Sequence, residues 1–183
     1  INHQYSKSLE HEQDFQQYLK THFGNSLRYY SFLRPLSEVY VSELFTKYAF
    51  GKYKDVFSSC NRAYRQGEDK LFWCGECPKC AFVFLALTPF LPQTDVEAIW
   101  GKNLLKDPAL VSLYLNLLGI EGDKPLECVG EIKENRSAMA LALQQYPELK
   151  TRYSFELPKE YNYKSLAEHR MPENIASILM KAL

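Results

Sequence analysis

The stretch Trp73-Cys74-Gly75-Glu76-Cys77-Pro78-Lys79-Cys80-Ala81-Phe82-Val83-Phe84-Leu85-Ala86-Leu87 decides how this chain is read. It opens with three cysteines, each separated from the next by two residues. A fourth, Cys60, precedes Cys74 with thirteen residues between them. A two-residue gap lets consecutive thiolates point at one ion, and four thiolates make the closed tetrahedron of a structural zinc site. Cys60, Cys74, Cys77 and Cys80 are therefore the candidate metal ligands, with Zn2+ as the expected ion. Iron–sulfur ligation and uncoordinated thiols are the competing readings. Pro78 suits the first position of a helix, and the apolar run after it predicts a buried one. Cys80 then falls in the first helical turn, where the positive end of the helix favours a thiolate. A site made only of sulfur, with no open position, implies folding rather than catalysis.

Upstream, Leu9 to Phe23 carries Phe15, Tyr18, Leu19, His22 and Phe23 at helical spacing, and Gly24-Asn25 stops it. The aromatic run Leu27 to Leu33 predicts a short strand. A second helix is expected over Ser37 to Phe50, closed by Gly51. Helix, strand and helix in that order predict an α/β layer arrangement. Between the cysteines, Asn61 to Lys70 reads as a polar loop. Downstream, Thr94 with Glu97 predicts a capping box for a helix ending near Trp100. Asp107-Pro108 predicts the start of a helix running to Gly119. Leu126 to Val129 reads as extended, Gly130 to about Gln145 as helical, and a last helix is expected after Pro172. The expected division is residues 1–92, containing the metal loop, and residues 93–183, mostly helical.

Whole-chain properties narrow the function classes. The 183 residues hold 22 Lys plus Arg against 22 Asp plus Glu, so the formal charge is zero. That balance argues against a nucleic-acid partner as the main function. The longest apolar run, Ala81 to Leu87, is too short to cross a membrane. Five cysteines, four of them in a metal pattern, suit a reducing cytoplasm better than a disulfide framework. No G-x-x-x-x-G-K-[ST] or G-x-G-x-x-G motif is present, and the chain begins with Ile1. The expectation is a fragment of a longer protein.

Three further clusters could carry chemistry. Arg34 precedes a predicted helix start, where backbone N–H groups and a guanidinium could hold an anion. Ser59 and Asn61 flank Cys60, as partners of a ligand or as substrate contacts. Lys124-Pro125-Leu126-Glu127-Cys128-Val129-Gly130-Glu131 sets a cysteine between carboxylates, with Arg136 on the helix that follows. Cys128, Glu127 and Glu131 are the candidate acid/base residues. Arg34, Ser59, Asn61, Lys124 and Arg136 are the candidate substrate contacts. A buried Cys128 and a solvated Arg34 are the plainer readings.

Taken together, Phe57 to Arg62, Trp73 to Leu87 and Lys124 to Glu131 resemble the C-terminal part of bacterial UDP-N-acetylmuramoyl-L-alanyl-L-glutamate epimerases. The opening Asn2 to Glu10 resembles the same family. More distantly, Pro35-Leu36, Glu43 and the four cysteines resemble 7-cyano-7-deazaguanine synthase, an ATP pyrophosphatase of the PP-loop type. The resemblance implies a helix-rich α/β fold, the C-terminal half of a PP-loop-like domain with a four-cysteine zinc loop and a mostly helical extension. It implies that ATP and Mg2+ serve the full-length enzyme, with the phosphate loop in an upstream N-terminal domain. The implied substrate is a sugar nucleotide carrying L-Ala-L-Glu, whose terminal glutamate is inverted through an acyl-adenylate in peptidoglycan precursor synthesis. The fragment alone is expected to be inactive. A PP-loop enzyme acting on a carboxylated nucleobase and a non-enzymatic zinc-stabilised interaction module are the alternatives.

Overall fold

The computed structural model describes residues 5–63, 72–157 and 161–183. The opening residues 2–4, including His3, and most of the expected polar loop at 61–70 lie outside the described residues. The chain divides into two compact units, Ile1–Ser37 with Ser165–Leu183, and Glu38–Lys164.

The first unit carries helices α1 (Leu9–Phe23) and α8 (Glu173–Ala182). Ser8 starts α1 by accepting a hydrogen bond from the His11 N–H at 3.0 Å, and Gly24, at φ 61°, ends it. The carboxylate of Glu12 is only 1% exposed and pairs with Arg34 Nε at 2.6 Å. The Arg34 Nη2 also donates to the carbonyls of Lys7 and Ser8. Gln16 Nε2 donates to the carbonyls of Tyr29 and Arg170, tying the segment after α1 to the stretch before α8.

The second unit contains α2 (Glu38–Tyr48), α3 (Phe50–Tyr53), α4 (Pro78–Leu87), α5 (Gln93–Trp100), α6 (Val111–Leu117) and α7 (Ile132–Gln145). Its centre is α4. Cys80, Ala81, Phe82, Phe84, Leu85, Ala86 and Leu87 are all buried, as expected of a helix that is apolar all round. Helices α2, α6 and α7 pack against it. Val39, Tyr114, Leu117, Ala138, Met139 and Ala142 are among the buried residues of the same apolar core.

The termini are closed by side chains. Glu134 accepts from the N–H of Glu38 and from the N–H of Glu131, both at 3.0 Å, so one buried carboxylate serves the starts of α2 and α7. Glu131 completes a capping box by accepting from the Glu134 backbone. Gln145 Nε2 donates to the carbonyls of Thr88 and Leu91 beyond the end of α4. Helix α6 ends at Gly119, φ 61°, with the Ile120 N–H returning to the Leu115 carbonyl at 2.9 Å.

The α/β expectation is overturned: no strand or sheet occurs among the described residues, so this is not a PP-loop-like α/β domain. Leu27 to Leu33, the predicted strand, is irregular. Leu27, Tyr29, Phe32 and Leu33 are exposed, and no ladder partner lies beside them among the described residues. An aromatic run becomes a strand only where a pleated neighbour receives it. Leu126 to Cys128 form a bend and Val129 is irregular, so no extended element forms here; side chains instead take the carbonyls of Cys128 and Val129.

Smaller differences have equally local causes. The expected helix to Phe50 stops at Tyr48, and Gly51 lies inside the one-turn α3 instead of closing α2. Helix α5 starts after Pro92 without a side-chain cap, because Glu97 instead accepts from Asn103 and from the Tyr146 hydroxyl. Asp107 does cap, accepting from the Ala109 N–H at 3.0 Å. The first turn, Pro108–Leu110, is a 3-10 turn that leads into α6.

Candidate metal centre

Residues 72–77 run without regular structure into Pro78, the first residue of α4. Gly75 makes the reversal possible, at φ 71°, a conformation that side-chain-bearing residues rarely adopt. The turn brings the Gly75 N–H to within 3.3 Å of Cys80 Sγ and the Glu76 N–H to within 3.4 Å of Cys74 Sγ. Cys60 arrives from the other side, and its sulfur accepts from the N–H groups of Arg62 and Cys74, both at 3.4 Å. Ser58 supports that approach. Its Oγ accepts from the Cys60 N–H and donates to the Phe72 carbonyl, tying the two limbs of the loop together.

The four sulfurs of Cys60, Cys74, Cys77 and Cys80 all lie within 4.8 Å of one another. Cys60 Sγ stands 3.9 Å from Cys77 Sγ, and Cys74 Sγ 3.7 Å from Cys80 Sγ. A tetrahedron with metal–sulfur bonds of about 2.3 Å has edges of about 3.8 Å. The donor set, its spacing and its burial therefore fit a single thiophilic ion. Burial pushes the Cys77 and Cys80 thiols up, against N–H groups that favour their thiolates. Cys74 is also pushed up by burial. The N–H groups of Glu76 and Cys77 and the neighbouring thiols outweigh this and bring it down to about 7. A dication at the centre would supply the positive charge that four thiolates, three of them buried, require. Arg62 adds to it from the surface, where it also pairs with Glu76 at 2.6 Å.

Behind the sulfurs stands a row of rings. Trp73 packs on Phe57 at 5.4 Å and on Trp100 at 5.0 Å between centroids, and Trp100 meets Phe84 at 5.2 Å. This joins the loop to the core through Phe84 of α4.

The second sequence cluster docks on the same loop. Asn61 Nδ2 donates to Glu127 Oε2 at 2.5 Å, and Lys79 Nζ donates to the Cys128 carbonyl. The carbonyl of Val129, a fully buried residue, accepts from Asn135 Nδ2 at 3.0 Å, and the same amide donates to the Leu117 carbonyl at the end of α6. Gly130, at φ 68°, is required here: a Cβ would stand 2.8 Å from the Phe82 ring and 2.9 Å from Asn135 Oδ1. Glu127 and Cys128 are half-buried.

The structure thus brings the four cysteines, Asn61, Glu127 and Cys128 together. Ser59 is exposed beside Cys60, and Lys124 Nζ donates at 3.5 Å to the Pro125 carbonyl. Glu131 is the exposed cap of α7 and pairs with Lys133 at 2.8 Å. Arg136 is spent on backbone, donating to the carbonyls of Leu118, Gly119 and Glu156. Arg34 belongs to the other unit and is held by Glu12. Sequence reading missed Lys79, Glu134 and Asn135. A polar residue amid an apolar helical face, as at Asn135, was the available signal for the last. Lys79 stands inside the decisive motif, where ligand spacing constrains only the cysteines on either side of it.

The family described as the MurL C-terminal domain matches residues 56–166, and that described as the MurL N-terminal domain matches residues 1–32. A UDP-N-acetyl-alpha-D-muramoyl-L-alanyl-L-glutamate epimerase from Xanthomonas oryzae pv. oryzae is 50% identical over 143 residues, 77% of this chain and 31% of that protein. Proteins of the same name from Salinispora tropica and a Micromonospora species are 44% and 43% identical. Each match covers 79% of this chain, and 31% and 32% of the respective relative. The chain thus spans about a third of the length of these curated relatives. No solved structure matches it. Among the described residues, no helix is long and apolar enough to cross a membrane.

Proposed function

Because this chain belongs to the MurL C-terminal domain family, we propose that it is part of an ATP-dependent epimerase. The reaction would invert the terminal L-glutamate of UDP-N-acetylmuramoyl-L-Ala-L-Glu to the D form, in the cytoplasm, during peptidoglycan precursor synthesis. The observation that carries this reading is the 50% identity over 143 residues to a relative of that name.

The chemistry explains the ATP. A carboxylate beside Cα makes loss of the Cα proton costly, because a second negative charge must grow next to the first. An oxygen of the carboxylate attacks the α-phosphorus of ATP and diphosphate leaves, giving a mixed anhydride without that charge. A base then takes the Cα proton, and an acid returns a proton on the opposite face. Water attacks the acyl carbon, and AMP leaves with D-glutamate formed. Mg2+ would accompany the ATP phosphates. The upstream N-terminal domain of the same protein would supply the nucleotide site.

Within this chain, Cys128 is the proposed proton-transfer residue. Glu127, half-buried and oriented by Asn61, suits its companion better than Glu131, whose carboxylate caps α7. Ser59 and Lys124 remain the proposed substrate contacts on this side. The ion held by the cysteines is proposed to be Zn2+ with a structural role, since four sulfurs leave it no open position.

Full-length protein incubated with ATP and the muropeptide nucleotide in D2O tests the reading. AMP release that depends on the nucleotide, with deuterium at the glutamate Cα and D-glutamate after hydrolysis, is the expected result. AMP release that the muropeptide nucleotide does not stimulate would overturn it.

A further inference from the structure

The stretch Glu127 to Gly130 is held from two directions. Its second half is fixed by α7 and α4: Asn135 grips the Val129 carbonyl, and Gly130 lies against Phe82. Its first half is reached from the cysteine loop. Asn61 directly follows Cys60, and Lys79 lies between Cys77 and Cys80. One aims the Glu127 carboxylate, and the other takes the Cys128 carbonyl. Both donors therefore sit on backbone whose position is set by sulfur ligands.

We propose that Asn61 and Lys79 are positioning residues that convert metal occupancy into a fixed placement of Glu127 and Cys128. The cluster would then do more than close a loop. A lysine side chain is long and loses much rotamer freedom when its amine is fixed, so the bond persists only if its base is rigid. The short gap between Cys77 and Cys80, closed over one ion, supplies that rigidity. Asn61 gains the same from Cys60, whose sulfur also accepts from the Arg62 N–H. The placement claim stands on these contacts. Its bearing on turnover rests on the epimerase reading above.

The test uses metal-loaded full-length protein and three variants, Lys79→Met, Lys79→Arg and Asn61→Leu. Alkylation at Cys128 is followed by mass spectrometry, together with metal content and epimerisation kinetics. With metal content unchanged, Cys128 should be alkylated about tenfold faster in Lys79→Met, the effect of losing one charge-assisted hydrogen bond. Lys79→Arg should restore the wild-type rate. Asn61→Leu should lower kcat with little change in KM. Alkylation and kcat within twofold of wild type in both Lys79→Met and Asn61→Leu would overturn the proposal. So would loss of the metal from both, since the side chains would then serve the cluster itself. A response of alkylation as stated, in a protein with no epimerisation, supports the positioning and removes the epimerase reading instead.

Discussion

The two ends of α4 are held by different forces. At the N-terminal end the side chain of the cap residue Cys77 does not cap the helix backbone, Pro78 has no N–H to give, and four sulfurs converge. At the C-terminal end Phe84, Leu85, Ala86 and Leu87 are at most 2% exposed, and Thr88 and Gln145 close the backbone. Apolar packing is distributed over many weak contacts, so one substitution removes a part of it. A metal centre is all-or-none: one lost ligand would release the ion and leave three clustered thiols without a partner charge. The contrast predicts a steep response at one end and a graded one at the other.

The sharpest way to break the comparison is Cys77→Ser. Structural zinc in small peptides is worth about 10–16 kcal/mol of apparent folding free energy. This variant is expected to lose its metal and most of its folded yield, as read by metal analysis and circular dichroism. Retained metal and fold would erase the distinction between the two ends. Phe84→Ala comes next. The ring is fully buried against Trp100, so a loss of about 3–5 kcal/mol is expected in denaturant unfolding, with metal still bound. Asn135→Ala removes the amide that serves the carbonyls of Leu117 and Val129 and should cost about 2–3 kcal/mol. Gln145→Ala, which removes the half-buried last side chain of α7 that closes the end of α4, should cost about 1 kcal/mol. Equal losses across these last three would mean that packing and capping do not separate as the contacts indicate.

The parts legible in the sequence were those whose cause is local. Helix α1 spans Leu9 to Phe23, as its apolar spacing and Gly24 predict, and α8 begins after Pro172. The cysteine spacing predicted a common centre, and the sulfurs of all four residues gather. What failed depended on partners distant in sequence. Leu27 to Leu33 has the composition of a strand but no neighbour to pair with among the described residues. The capping box expected at Thr94 and Glu97 does not form, because Glu97 accepts from Asn103 and from the distant Tyr146 hydroxyl; the one at Glu131 and Glu134 is not legible, because a glutamate cap lacks the Ser/Thr signature. Lys79 bridges to Cys128 across 49 positions, a contact no spacing rule encodes.

X-ray absorption at the zinc edge of the purified chain, prepared under reducing conditions with stoichiometric metal analysis, addresses the metal centre most directly. A first shell of four sulfurs at about 2.3 Å is the predicted spectrum. A shell containing nitrogen or oxygen, or a folded chain that carries no stoichiometric zinc, would contradict the account.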